Sequence, residues 1–164
     1  MIKNKFLSIE RYGKRYVVDI LQKQTDKNIC IDNPYEALKL FFSKSFYRGR
    51  RDELSQEFQD RAIATLNGYY AKGLISEISD EDLECSLREN QVNNHKDRQM
   101  VIAVIKFVLK IDNRNIVTFA INEIRNGKTG NIYDQLIGLP QIGPKLASLY
   151  LRDIVLLYDL QKFL

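Results

Sequence analysis

Apolar residues in this chain recur at intervals of three and four almost throughout, and no series of alternating apolar and polar positions marks a set of strands. That period is the strongest constraint on the fold. Each segment carries one apolar stripe that has to be buried against another helix, so the expected architecture is all-α: a multi-helix, bundle-like lobe of seven or eight helices. Residues 8–24 carry the first stripe, with Ile9, Tyr12, Tyr16, Val17 and Ile20, weakened by Gly13. Asn33-Pro34-Tyr35-Glu36 then reads as a helix start, with an Asx cap, proline at the first helical position and glutamate where a capping box places it. The helix it opens, to about Phe46, is apolar on much of its circumference and belongs in the core. After the basic stretch 44–51, a long helix is expected over 52–70, with Phe58, Ala62, Thr65 and Tyr69 as its stripe and Gly73 as its stop.

Ser79 followed by Asp80, Glu81 and Asp82 suits the positive end of a helix dipole and opens a helix to about Asn90. Further helices are expected over 96–110 (Val101, Val104, Ile105, Val108) and 114–125 (Val117, Ala120, Ile121, Ile124). A turn at 126–130 leads to a short helix over 132–138, a tight connection at 139–143 and a final helix over 144–158. No repeat, low-complexity tract or Gly/Ser linker divides the 164 residues, so one domain or lobe is expected over 1–164.

Composition narrows the class of partner. No run reaches the roughly 18 apolar residues that a membrane span needs, and the first residues lack the apolar core of a signal peptide, so an intracellular, cytoplasmic or nucleoid location is expected. Cys30 and Cys85 lie far apart, and His95, at what reads as an exposed helix start, is the sole histidine. Neither a metal site nor a metal cofactor is expected from such spacing. The net charge of +4 leans mildly toward an anionic partner. Asn126-Gly127-Lys128-Thr129 has the end of a phosphate-binding loop, but position 122 is Asn122 where that motif requires glycine.

The connection at 139–143 has a specific design. Gly143 is placed to supply a permissive backbone where the chain reverses, and Pro144 fits the first turn of the next helix. Ile142 points inward, and Ala147 is small where two helices approach. Unpaired N–H groups at the start of that helix would face outward as a phosphate site, holding a nucleic-acid backbone without reading its bases.

Leu139-Pro140-Gln141-Ile142-Gly143-Pro144-Lys145-Leu146-Ala147 resembles the helix-hairpin-helix element, Leu-Pro-Gly-hydrophobic-Gly-x-Lys-x-Ala, of the DNA glycosylases related to endonuclease III and 8-oxoguanine DNA glycosylase. The likeness covers about twenty residues within 132–158, and Gln141 stands where that family has its first glycine. It implies double-stranded DNA as partner, no cofactor, backbone contacts from Gln141, Ile142 and Gly143, and Lys145 as the nucleophile of a base-excision glycosylase and lyase, with oxidised purines as the preferred lesion. The alternative is a DNA-binding module without a reaction.

Nucleophilic attack needs an unprotonated amine, with the lysine pKa brought from about 10.4 to about 7–8. The helix dipole supplies about 0.3–1 of the roughly 3–4 kcal/mol required. Arg48, Arg50 and Arg51 are the nearest cations in sequence that could complete the shift or grip phosphates; they could equally cap the helix that ends near Phe46. Phe46 or Tyr47 is a candidate for stacking on an extruded base. The resemblance also implies a catalytic aspartate in a loop after the final helix. Asp153 and Asp159 fall on that helix instead, and Asp153 reads as a surface partner of Arg152 or a nearby lysine. The strongly apolar end of the chain (Ile154, Val155, Leu156, Leu157, Leu160, Phe163, Leu164) calls for a cover, from a further segment or a partner.

Overall fold

In the computed structural model, residues 27–46 and 52–164 are described, and the expected stripe over 8–24 lies outside them. The described residues form eight α-helices: α1 (Lys27–Asp32), α2 (Pro34–Ser45), α3 (Asp52–Ala71), α4 (Asp80–Glu89), α5 (His95–Lys110), α6 (Ile116–Arg125), α7 (Thr129–Ile137) and α8 (Pro144–Leu157). Short 3-10 turns at Asp112–Arg114 and Gln161–Phe163 complete them, and no strand occurs among these residues. None of the helices is long and apolar enough to cross a membrane.

α2 is the axis of the lobe, packing against α1, α3, α6 and α8. Ala37, Leu38, Phe41, Phe42 and Phe46 are all buried, as a helix apolar on most of its circumference must be. Its aromatic rings make a chain of edge contacts: Phe46 on Phe42 at 5.7 Å, Phe42 on Phe41 at 5.9 Å, and Phe41 on Tyr150 of α8 at 4.9 Å. Phe46 is therefore a core residue and cannot stack on an extruded base; Tyr47 lies outside the described residues.

Four helix starts are closed by short polar side chains. The Oδ1 of Asn33, Asn94 and Asn115 accepts from two backbone N–H groups each, and Ser79 Oγ accepts from Asp82 N–H. Glu36 departs from the capping box that its position suggested, because its carboxylate pairs with Lys39 at 2.9 Å. Asn115 does more than cap α6. Its Nδ2 donates to the carbonyls of Cys30 (2.8 Å) and Ile31 (3.0 Å), tying α1 to the start of α6 across 85 residues of sequence. Asn113 and Arg114 just before it have φ of 58° and 51°, which is why α6 begins at Ile116 and not at Arg114. α1 itself was not expected: six residues are too few to display a helical period.

Four helices end in one device, in which a left-handed residue lets the N–H of the residue after it fold back onto a carbonyl of the last turn. Gly73 (φ 70°) and Gly127 (φ 71°) serve α3 and α6, while Gln91 (φ 61°) and Asp159 (φ 54°) serve α4 and α8. At α4 the bonds run from Gln91 N–H to Arg88 and from Val92 N–H to Leu87, both 2.9 Å. Asp159 thus sits two positions past the end of α8, not on it.

The apolar end of the chain is largely covered by this lobe itself. Ile154, Val155, Leu157 and Leu160 are buried; Phe163 and Leu164 keep 36% and 55% of their surface exposed.

Two stability predictions follow from these contacts. Asn115→Ala removes a cap and strands two interior carbonyls, and should cost about 3 kcal/mol in urea unfolding. Gln91→Gly should gain about 1 kcal/mol and Gly127→Ala lose about as much, because no atom lies near the Cβ that alanine adds and only the left-handed φ decides the sign.

Candidate functional site

The connection between α7 and α8 runs over the surface with one residue pinned inside. Gly138 and Pro140 are exposed, Gln141 and Gly143 half-buried, and Ile142 is 2% exposed. Ile142 N–H donates to Leu139 C=O at 3.1 Å, closing the turn. Two expectations change here. The left-handed conformation falls on Gln141, at φ 66°, while Gly143 has φ −87° and ψ 174°, an extended geometry open to any residue. Ile142 N–H, expected to face a ligand, is already used inside the turn.

Other donors remain. Gly143 is the N-cap of α8 and no side chain caps that helix. The N–H groups of Gly143, Lys145 and Leu146 make no hydrogen bond with any described residue, and Pro144 has none to offer. The first turn of α8 therefore presents three donors along the positive end of the helix dipole. Lys145 is exposed in that turn and forms no ion pair among the described residues. Leu146 and Ala147 are buried behind it, Leu149 half-buried, and Tyr150 Oη donates to Ile116 C=O at 3.1 Å, so the start of α8 is held against α6.

Among the described residues, no carboxylate forms an ion pair with Lys145. Asp153 is 3% exposed, contrary to the surface position expected, and its two oxygens face Lys44 Nζ of α2 (3.4 Å) and Arg152 (3.2 Å). A carboxylate enclosed by two cations fixes α8 to the end of α2 and is spoken for. Arg48, Arg50 and Arg51 lie outside the described residues. Among the described residues no group of three or more His, Cys, Asp and Glu side chains is arranged to hold a metal ion.

On its other flank the turn meets negative charge. Pro140 borders a cavity of about 390 Å³ lined by Asp80, Glu81, Glu84, Ile102 and Lys106. Asp80 pairs with Lys106 at 2.6 Å. Glu84 faces Arg98 (3.3 Å), Arg88 (3.4 Å) and His95 Nδ1 (3.4 Å). Arg98 is itself buried, donating to the carbonyls of Val92 and Asn93 at 2.9 Å each. Read in sequence as helix capping alone, this acidic segment also carries long-range pairs; only the spacing of charge across two helices, invisible locally, makes them. The 143–146 turn thus has the exposed Lys145 on one side and, beyond Pro140, carboxylates paired with cations.

Comparison with protein-family models, curated proteins and solved structures gives no match to this chain.

Partial burial alone would raise the Glu84 carboxyl; Arg98, by hydrogen bond and charge, and then His95 outweigh it and hold the group below its ordinary value of 4.5. A depressed folded-state pKa contributes stability above the unfolded value and loses it as pH falls through the folded one. Glu84→Gln should therefore be less stable than the parent at neutral pH, with the gap between their urea midpoints closing as pH is lowered past 4.5.

Proposed function

We propose that this lobe binds the sugar-phosphate backbone of duplex DNA through α7, the turn at 138–143 and the start of α8, in the manner of a helix-hairpin-helix. The observation that carries this reading is the exposed, uncapped start of α8, where the N–H groups of Gly143, Lys145 and Leu146 have no hydrogen-bond partner among the described residues and Lys145 is exposed in the same turn. Donors of that kind match phosphate oxygens and carry no base information. Four other described helices have their first turns closed by Asn or Ser, so the open end is a local property of this corner and of α7. Burial of Ile142 keeps the turn rigid when the partner is absent, which lowers the ordering cost of binding.

Base excision with strand cleavage at Lys145 is the second reading, and the exposure of its amine two residues after Gly143 favours it. The amine would have to be activated by desolvation against the bound DNA or by cations outside the described residues, since the dipole supplies only about 1 kcal/mol. Oxidised purines would be the lesion class, and the carboxylate would come from a group other than Asp153.

Gly143→Asp separates the binding reading from a purely structural turn. An aspartate fits the extended φ and meets no atom within 4 Å of its Cβ, so it should cap α8 and add a few tenths of a kcal/mol to stability. The same carboxylate occupies the donors and repels phosphate, so duplex affinity measured by fluorescence anisotropy at low salt should fall about tenfold or more. Lys145→Ala should weaken binding uniformly across sequences and reduce the slope of log affinity against log salt by about one. Unchanged affinity in both variants would exclude this corner as the DNA contact. Borohydride trapping on abasic-site DNA tests the second reading: an adduct lost in Lys145→Ala supports it, and no adduct removes it.

A further inference from the structure

On the side of α4 away from Pro140 the described lobe carries an open trough. Two adjoining cavities of about 500 and 290 Å³ run between α4 and the end of α3, sharing Tyr69, Leu74 and Ser86. Asp80, Glu81 and Glu84 line the cavity beside Pro140, whereas Asp82, Cys85, Ser86 and Glu89, on the other side of the same helix, line this one. Its walls suit close approach. Ala64, Thr65 and Gly68 contribute small side chains from α3, as Cys85 and Ser86 do from α4. Tyr69 Oη and Ser86 Oγ hydrogen-bond at 2.5 Å between the two helices, and Leu74, 40% exposed, makes the apolar surface with Ile78.

Gly68 is the residue of this trough that the lobe itself does not call for. It lies within α3 in ordinary helical conformation, where glycine is among the poorest formers, and a Cβ added there would meet no described atom within 4 Å. Close approach of another backbone is the remaining use for it. The rim bears charge of one sign. Glu77, Asp82 and Glu89 border the larger cavity and pair with no cation among the described residues, while Lys72 borders only the smaller. The described residues as a whole hold 16 Lys and Arg against 18 Asp and Glu, a net charge of −2.

We propose that this trough docks a basic amphipathic helix of a partner protein, its apolar stripe against Tyr69, Leu74 and Ile78 and its Lys and Arg side chains toward Glu77, Asp82 and Glu89. Charge sets the sign of the partner, and the walls set its secondary structure. Both walls are helices whose backbone groups are bonded internally, so an extended segment would leave its own N–H and C=O groups unpaired over an apolar floor; a helix brings them already bonded. From Ala64 to Lys72 the α3 wall runs about 12 Å, so three turns of a partner helix, about 16 Å, span it. The acidic rim repels phosphate, and the inference stands without the DNA reading of the α7–α8 corner.

The test uses the full chain and a labelled synthetic helix of about 18 residues, leucine on one face and lysine on the other, beside a counterpart with glutamate for every lysine. Anisotropy at low salt should show saturable binding of the lysine helix and at least about tenfold weaker binding of the glutamate helix. Cys85 lines the trough and is exposed while Cys30 is buried, so the bound lysine helix should slow alkylation of Cys85, about tenfold when the trough is nine-tenths occupied. Glu77→Lys with Glu89→Lys leaves the floor intact and should weaken binding about tenfold or more. Gly68→Gln should weaken it too, by bulk and without a change of charge, while raising the urea midpoint of the free protein, because glutamine is the better helix former. Absence of saturable binding, equal affinity for the two helices, equal affinity in the parent and both variants, or binding without protection of Cys85 overturns the proposal. So does a parent that sediments as a dimer beside a monomeric Gly68→Gln variant, which would assign the trough to a second copy.

Discussion

One buried amide organises this lobe. Asn115, 2% exposed, places both ends of its side chain in hydrogen bonds: Oδ1 takes the N–H groups of Val117 and Thr118, and Nδ2 gives to Cys30 and Ile31. Two elements far apart in sequence are thereby set in register at one point, and a fully satisfied interior network of this kind specifies one arrangement. The consequences reach the surface corner through a short path. Asn115 fixes where α6 starts; the carbonyl of Ile116, the first residue of α6, accepts from Tyr150; and Tyr150 packs on Phe41 of α2 while fixing the rotation of α8. Burial raises the Tyr150 hydroxyl well above its ordinary pKa, so it stays a donor. The direction in which the first turn of α8 points is set by contacts made in the core.

The ends of the helices divide the molecule into closed and open surfaces. Where Asn33, Ser79, Asn94 and Asn115 cap their helices, the positive dipole ends are satisfied within the protein. The start of α8 is left open, and its neighbourhood is asymmetric, with Lys145 on one side and the acidic cavity by Pro140 on the other. The same asymmetry appears across the chain as a whole, since the described lobe is slightly acidic and the cations concentrate outside it. On the proposed DNA-binding reading, long-range attraction would come from the cations of those segments and short-range geometry from the α8 corner.

Signals that act within a few residues were legible in the sequence. Asn33-Pro34, Ser79 with its carboxylates, Gly73 and Gly127 each mark an end that the structure places within a residue, because caps and left-handed stops depend on local backbone chemistry. Interactions between distant segments were not. Asn115 looks like any residue before an apolar run until α1 is folded against it, and Asp153 looks like a surface acid until Lys44 arrives from α2. At the α7–α8 turn the sequence led to the wrong residue for a further reason. Glycine at 143 drew the permissive backbone role at the reversal, yet the left-handed residue is Gln141, where side-chain chemistry gives no sign of a positive φ. The site was thus legible as a place and as a charge at Lys145, but not in which N–H groups remain open.

Why a glutamine is held in that conformation is a matter of magnitudes. A left-handed L-residue costs roughly 1–2 kcal/mol, and a short surface turn has few contacts with which to offset it. Ile142, the next residue, is 2% exposed, and burying such a side chain contributes about 1.5–3 kcal/mol. The Ile142 N–H to Leu139 carbonyl bond adds about 1 kcal/mol more. The turn is therefore stable as built, with the strain at Gln141 borne by the apolar anchor one residue on. Removing that anchor would cost more than the strain it offsets, since the backbone would then be free to leave the left-handed region and the three open N–H groups of α8 would lose their common direction. The side chain that touches no ligand is in this way the one on which the presentation of those donors depends.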